Sequence, residues 1–170
     1  NEFCRRFSEF IKTIPWEIKW FCQMRVVNIK KDMLEMMRDA GCFMVSYGFE
    51  SYNQSVLKSM KKFISPEQIH HAIHTTLDSG ISIQGNFIFG DKAETLQTAQ
   101  ETLDFWKDHP EAGILLGFII PLPNSEIYQY CIKKGIIKDR LDFIENHLFD
   151  TLNMTGTSDA DFTRLKALIF

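Results

Sequence analysis

The chain has 170 residues, enough for one domain with a sizeable core, and 45% of them are hydrophobic, which excludes a disordered chain. Its formal net charge of -3 gives no electrostatic reason to bind nucleic acid or an acidic membrane surface. No apolar run is long enough to span a bilayer, and 15 phenylalanines point to an aromatic-rich core.

Asn1-Glu2-Phe3-Cys4-Arg5-Arg6 leads straight into an amphipathic pattern, so no signal peptide is visible. Phe3, Phe7, Phe10 and Ile11 recur at helical spacing and predict a helix that Pro15 stops. Lys19 to Val27 reads as a strand. Met33, Leu34 and Met37 form the apolar face of a helix from about Lys31 to Asp39, with Gly41 just past its end. Cys42 to Phe49 is a second strand, and Asn53 to Met60 a short helix. Ser65, Pro66 and Gln68 make a strong helix start, and that helix runs to about Ser79. Ile81 to Phe89 is a third strand. Asp91 and Glu94 are expected to box the next helix, which extends to about Asp108. Ile114 to Ile120 is a fourth strand, nearly all apolar. A helix from Ser125 to Lys134 stops at Gly135, and the tail holds one or two more helices, including Ala160 to Leu168.

Apolar strands alternating with amphipathic helices mean a parallel α/β sheet covered by helices. Four βα units are half of a full eight-unit barrel, so the expected fold class is α/β, a partial parallel (β/α) barrel with C-terminal helices, or else an open four-strand sheet whose edges must be covered. The expected division is residues 1–137 for the barrel part and 138–170 for a helical extension. The start at Asn1 and the apolar close at Leu168-Ile169-Phe170 suggest an excised piece of a longer chain.

Ligands of parallel sheets bind at the carboxyl ends of strands. Those positions here carry Arg25 with Asn28, Gly48 to Ser51, Asn86 with Gly90-Asp91, and Pro121 to Asn124. Glu50, between a strand and a helix, suits ribose hydroxyls as hydrogen-bond donors, or else serves as a charge at the helix N-terminus. Lys62, with Lys61, offers a mobile positive charge to a ligand carboxylate, or is one of a solvated pair. Arg25 lies near the end of an apolar strand and, if partly buried, needs an anion, either Glu50 or a ligand carboxylate.

The four cysteines, Cys4, Cys22, Cys42 and Cys131, match no zinc or iron–sulfur spacing and read as free thiols of a reducing cytoplasm. His70 and His74 have the spacing of two helical zinc ligands. Without the Glu of an H-E-x-x-H motif they read as ordinary helix surface, so no metal ligand is expected. Gly85 to Gly90 is a poor match to a dinucleotide loop, because its glycines flank strand residues rather than opening a helix.

Four segments in order carry a resemblance. Val45-Ser46-Tyr47-Gly48-Phe49-Glu50-Ser51, followed by Val56 to Lys62, resembles the fourth-strand signature of radical S-adenosylmethionine (radical SAM) proteins. Gly80 to Gly90 with Glu94-Thr95 resembles the next unit. Pro121-Leu122-Pro123-Asn124-Ser125-Glu126-Ile127-Tyr128 resembles the sixth-strand exit, P-x-P-G-T-x-x-Y. Asn153-Met154-Thr155 resembles a segment that follows the core. The order is similar to the branch that includes anaerobic Mg-protoporphyrin ester cyclases and related methyltransferases, often with a cobalamin-binding domain.

The resemblance implies the last four units of a six-unit barrel. It implies S-adenosylmethionine and a [4Fe–4S] cluster as cofactors of the whole protein, possible use of cobalamin, and a small-molecule substrate. Residue by residue, Glu50 corresponds to the ribose contact and Lys62 to the basic residue near the methionine carboxylate. Arg25 corresponds to a strand-end polar residue of that site, Asn86 and Ile88 to the adenine-side wall, and Ile120 and Pro121 to the adenine and substrate side. The sequence departs from the pattern in three places: C-x-x-x-C-x-x-C is missing, Asn124-Ser125 replaces Gly-Thr, and Lys92 stands where Pro is common. The chain alone is therefore expected to be inactive. The alternative is a non-catalytic binding or dimerisation module, pairing through an exposed barrel edge. An unrelated α/β ligand-binding or phosphate-binding enzyme is a third reading.

Overall fold

The computed structural model describes residues 2–169. Asn1 and Phe170, the outer ends of the two expected segments, lie outside the described residues. The elements run α1 (Glu2–Ile11), β1 (Trp20–Met24), α2 (Lys31–Arg38), β2 (Cys42–Glu50), α3 (Gln54–Ser59), α4 (Pro66–Asp78), β3 (Ser82–Phe89), α5 (Leu96–Asp108), β4 (Leu115–Phe118), α6 (Glu126–Lys133), α7 (Arg140–Asn146) and α8 (Asp159–Ile169). A short 3-10 turn, Pro110–Ala112, precedes β4. No helix is long and apolar enough to cross a membrane among the described residues.

The four strands pair in chain order, β1-β2-β3-β4, and every pair is parallel. Parallel neighbours need a crossover, and a helix fills each one. The expected partial (β/α) barrel is the architecture seen. Val45, Tyr47 and Phe49 of β2 are wholly buried and share one core with Phe87 and Phe89 of β3, Ile69 and Ile73 of α4, and Leu103 and Phe105 of α5. Aromatic rings run through that core. Tyr47 stacks on Phe49 at 5.8 Å, Phe49 meets Phe87 at 5.9 Å, and Phe87 meets Phe105 edge-on at 6.0 Å. The opposite face of β3, with Gln84, Asn86 and Ile88, stays partly exposed.

Local signals explain most helix starts. Ser65 Oγ accepts from the Gln68 N–H and Gln68 Oε1 from the Ser65 N–H, the expected capping box. Asn53 Oδ1 accepts from the Ser55 and Val56 N–H groups and starts α3. The expected Asp91/Glu94 box does not form. Asp91 Oδ1 takes the Ala93 N–H, and the buried Glu94 carboxylate turns back to the Gly90 N–H. The chain completes a turn before Thr95 and Thr98 box α5. The spacing of Asp91 and Glu94 mimicked a helix start because the same residues build the turn ahead of it.

The first helix ends at Ile11, three residues short of the expected Ile14, and β1 ends at Met24 rather than Val27. The tail forms two helices. Phe143 of α7 and Met154 join Tyr128, Cys131 and Ile137 in a second apolar cluster. Phe162 of α8 packs edge-on to Phe118 at 5.6 Å, and Leu165 enters the main core.

Candidate functional site

At the carboxyl end of β2 the ladder is interrupted. Gly48 pairs with Asn86 and Glu50 with Phe87, so Phe49 is the extra residue of a bulge. A bulge bends its strand and re-aims the side chain that follows. Glu50 then adopts φ +67°, a left-handed conformation that costs a non-glycine residue about 1–3 kcal/mol and concentrates at functional sites. Phe49 meanwhile keeps its place in the core.

Lys62 reaches Glu50 from the end of α3. That end is a Schellman turn: the Lys61 N–H binds Lys58 O at 3.1 Å and the Lys62 N–H binds Leu57 O at 2.8 Å. Lys61 occupies the left-handed position, φ +57°, where glycine is usual. The turn aims Lys62 Nζ at Glu50 Oε1, 2.8 Å away, with the two side chains 34% and 18% exposed. Gly48 is required beneath them. A Cβ there would lie 2.4 Å from Glu50 Oε1 and 3.0 Å from Lys62 Nζ.

Glu50, Ser59, Lys62, Ile88, Asp91 and Ile119 contribute to a hollow of about 350 Å³. Two of its lining residues carry a buried polar atom, Glu50 Oε2 and Ser59 Oγ, that has no hydrogen-bond partner. Native proteins leave few such groups unsatisfied. Lys61 pairs with Glu126 at the rim, and Lys92 lies 5.6 Å from the Tyr130 ring centre. Below the rim, burial pushes the Glu94 carboxyl up to about 7, against the Gly90 N–H, which favours its charged form; Asp91 adds to the rise.

Of the residues expected at the site, Glu50, Lys62 and Ile88 come together in this hollow. Glu50 does not cap a helix, because Asn53 caps α3. Arg25 lies one residue past β1, is exposed, and forms no ion pair among the described residues, so the expected pairing with Glu50 is not made and Lys62 takes that carboxylate instead. The apolar strand ends before it, so burial never demands an anion. It lines a smaller hollow of about 140 Å³ beside Gly48 and Lys62. Asn86 sits within β3, half-buried, and donates to Tyr47 O at 3.4 Å. Ile120 and Pro121 follow β4; Ile119 is the residue on the hollow, placed there by its N–H bond to Phe89 O. Ser59 carries no sequence signal, since only the burial of its hydroxyl oxygen at a helix end marks it. The departures at Asn124 and Ser125 keep the local geometry. Asn124 takes φ +70°, which asparagine tolerates, and Ser125 caps α6 through the Tyr128 N–H.

An uncharacterized methyltransferase of Pyrococcus horikoshii is 27% identical over 127 residues, 75% of this chain and 28% of the relative. The anaerobic magnesium-protoporphyrin IX monomethyl ester cyclase of Rubrivivax gelatinosus is 32% identical over 130 residues, 75% of this chain and 23% of the relative. The chain thus spans about a quarter of the length of these relatives. The radical S-adenosylmethionine methyltransferase TsrM of Kitasatospora setae, solved with cobalamin and a [4Fe–4S] cluster, shares the fold at TM-score 0.57 and 16% identity, over 69% of this chain and 24% of that one. The radical SAM superfamily model matches residues 5–105, more than half of the chain. By this match the chain, a parallel half-barrel, belongs to the radical SAM superfamily.

Proposed function

We propose that this chain is the part of a radical SAM enzyme that holds the nucleoside and amino-acid ends of S-adenosylmethionine. The observation that carries the reading is the buried, unpartnered Oε2 of Glu50, a residue that lines the hollow. A carboxylate oxygen accepts only, so the missing partner is a donor, and ribose hydroxyls are donors of suitable shape. Lys62 Nζ can leave Glu50 to pair with the methionine carboxylate. Arg25, exposed at the neighbouring hollow, adds positive charge. Ile88 and Asn86 form the adenine-side wall, and Ile120 with Pro121 borders the adenine and the substrate.

The donor set fits S-adenosylmethionine but not the cluster. Among the described residues no three cysteines come together as ligands, and burial pushes the Cys131 thiol up to about 11. The cluster ligands therefore belong to another segment of the protein. S-adenosylmethionine, when bound and reduced, supplies a carbon-centred radical. The residues here orient it and keep water from it. The likeness to TsrM supports cobalamin as a further cofactor of the whole protein, and the cyclase supports a small organic substrate. Four free thiols support a reducing cytoplasm. The barrel part, 1–137, and the extension, 138–170, divide the chain by order along it, while the second apolar cluster packs across that boundary.

The test is S-adenosylmethionine binding to the anaerobically reconstituted full-length protein. Glu50→Ala is expected to weaken binding at least about tenfold, 1.4 kcal/mol, with cluster content and melting temperature unchanged. Unchanged affinity would refute the assignment.

A further inference from the structure

On the outer layer, away from the hollow, three histidines converge. His70 and His74 stand one turn apart on α4, with Nε2 atoms 3.1 Å from each other. His109 arrives from the far end of α5, where it is the C-terminal cap. One ring nitrogen from each of the three lies within 4.8 Å of the other two. Zinc–imidazole bonds of about 2.0–2.1 Å place tetrahedral ligand nitrogens about 3.3 Å apart. The His70–His74 separation already meets that spacing, and a small ring rotation brings in the third nitrogen.

His109 is held in readiness. Its Nδ1 lies 2.8 Å from Phe105 O, and a carbonyl only accepts, so Nδ1 carries the proton. Its Nε2 is left with the free lone pair. This is the backbone hydrogen bond by which proteins set the tautomer of a metal-binding histidine. Its ring stacks on Phe105 at 3.9 Å and meets His70 edge-on at 5.6 Å. Phe105 is stacked in turn by Tyr52 at 3.8 Å. His71, the neighbouring imidazole, turns instead to Thr75.

We infer that His70, His74 and His109 form a binding site for a divalent transition-metal ion, with zinc as the fitting ion and water in a fourth position. Imidazoles suit zinc, cobalt, nickel and copper rather than magnesium or calcium. Such an ion would tie α4 to the end of α5, where the His70 and His109 rings already meet. None of the three histidines lines the Glu50 hollow, so the site is separate from S-adenosylmethionine binding.

The test is titration of the 170-residue chain, kept reduced, with zinc chloride against a chromophoric chelator, and with cobalt chloride by visible absorbance. The expected result is one equivalent bound, with a cobalt spectrum lacking thiolate charge-transfer bands. His70→Gln, His74→Gln and His109→Gln should each weaken zinc at least about tenfold, while His71→Gln changes it less than about twofold. Circular dichroism checks the fold of each variant, and the exposed His70 and His74 give two substitutions that spare the core. No zinc bound, a thiolate spectrum, His109→Gln binding like wild type, or His71→Gln weakening as much as the others would each overturn the site.

Discussion

Along β2, Val45, Tyr47 and Phe49 turn toward the helices, while Gly48 and Glu50 turn toward the hollow, and the two sets differ in how fully they are satisfied. The Tyr47 hydroxyl meets Thr76 Oγ1 at 3.0 Å, and Phe49 packs between Tyr47 and Phe87. Opposite them, Glu50 is conformationally strained and one of its oxygens has no partner. One strand thus supplies both the best-packed and the least-satisfied groups of the sheet. Packing and the proposed ligand contacts fall on alternate residues, so they can be changed separately.

The largest expected effect tests the packed face. Phe49→Ala should cost about 3–5 kcal/mol in urea unfolding of the chain, the usual range for a buried phenylalanine. A loss below about 1 kcal/mol would mean the core collapses around the gap and the contrast between faces is false.

Glu94 sits between the two cases, buried like the core but with one N–H partner. Its folded value is raised from the ordinary 4.5 to about 7. The fold therefore favours the protonated carboxyl. The stability this brings is complete below 4.5 and is lost as pH rises through about 7. Glu94→Gln removes the titration while keeping an acceptor for Gly90. The variant should gain on wild type across that window and exceed it by about 1–3 kcal/mol at alkaline pH. Parallel melting curves of the two proteins from acid to alkaline pH measure this, and a constant difference would contradict it.

The smallest effect probes strain on the open face. Lys61→Gly relieves the left-handed turn and gives up an exposed ion pair of little worth, so the chain should gain about 0.5–1 kcal/mol. S-adenosylmethionine affinity of the full-length protein should not rise with it. A destabilised variant would show that Lys61 is held by more than the turn.

Much of this fold was legible because its signals are local. Ser65 and Gln68 mark α4, Gly41 and Gly80 end their helices, and apolar runs mark β2 and β3. Glu50 and Lys62 were readable from a shared motif. The bulge between them was not, because a one-residue slip leaves no mark in an apolar run. Val26 and Val27 extend the strand-like pattern past its true end, so the sequence places Arg25 inside the strand rather than one residue beyond it. Ile119 carries no signal of its own in the sequence, because the pairing that sets which residue faces the hollow is not local. His109 escaped notice because its meeting with His70 depends on how α4 packs beside α5, and no local pattern encodes that packing.

The unbroken strand order has a kinetic consequence. Each strand pairs with its nearest sequence neighbours, Trp20 with Cys42, Met44 with Ser82, Asn86 with Leu115. Every pairing must wait for the helical crossover between its partners to close, which places such a sheet between helical bundles and β-sandwiches in folding speed. No pairing waits for a strand made much later. As the chain leaves the ribosome, each new strand finds its template already in place, so the sheet can grow from β1 toward β4 in the order of translation.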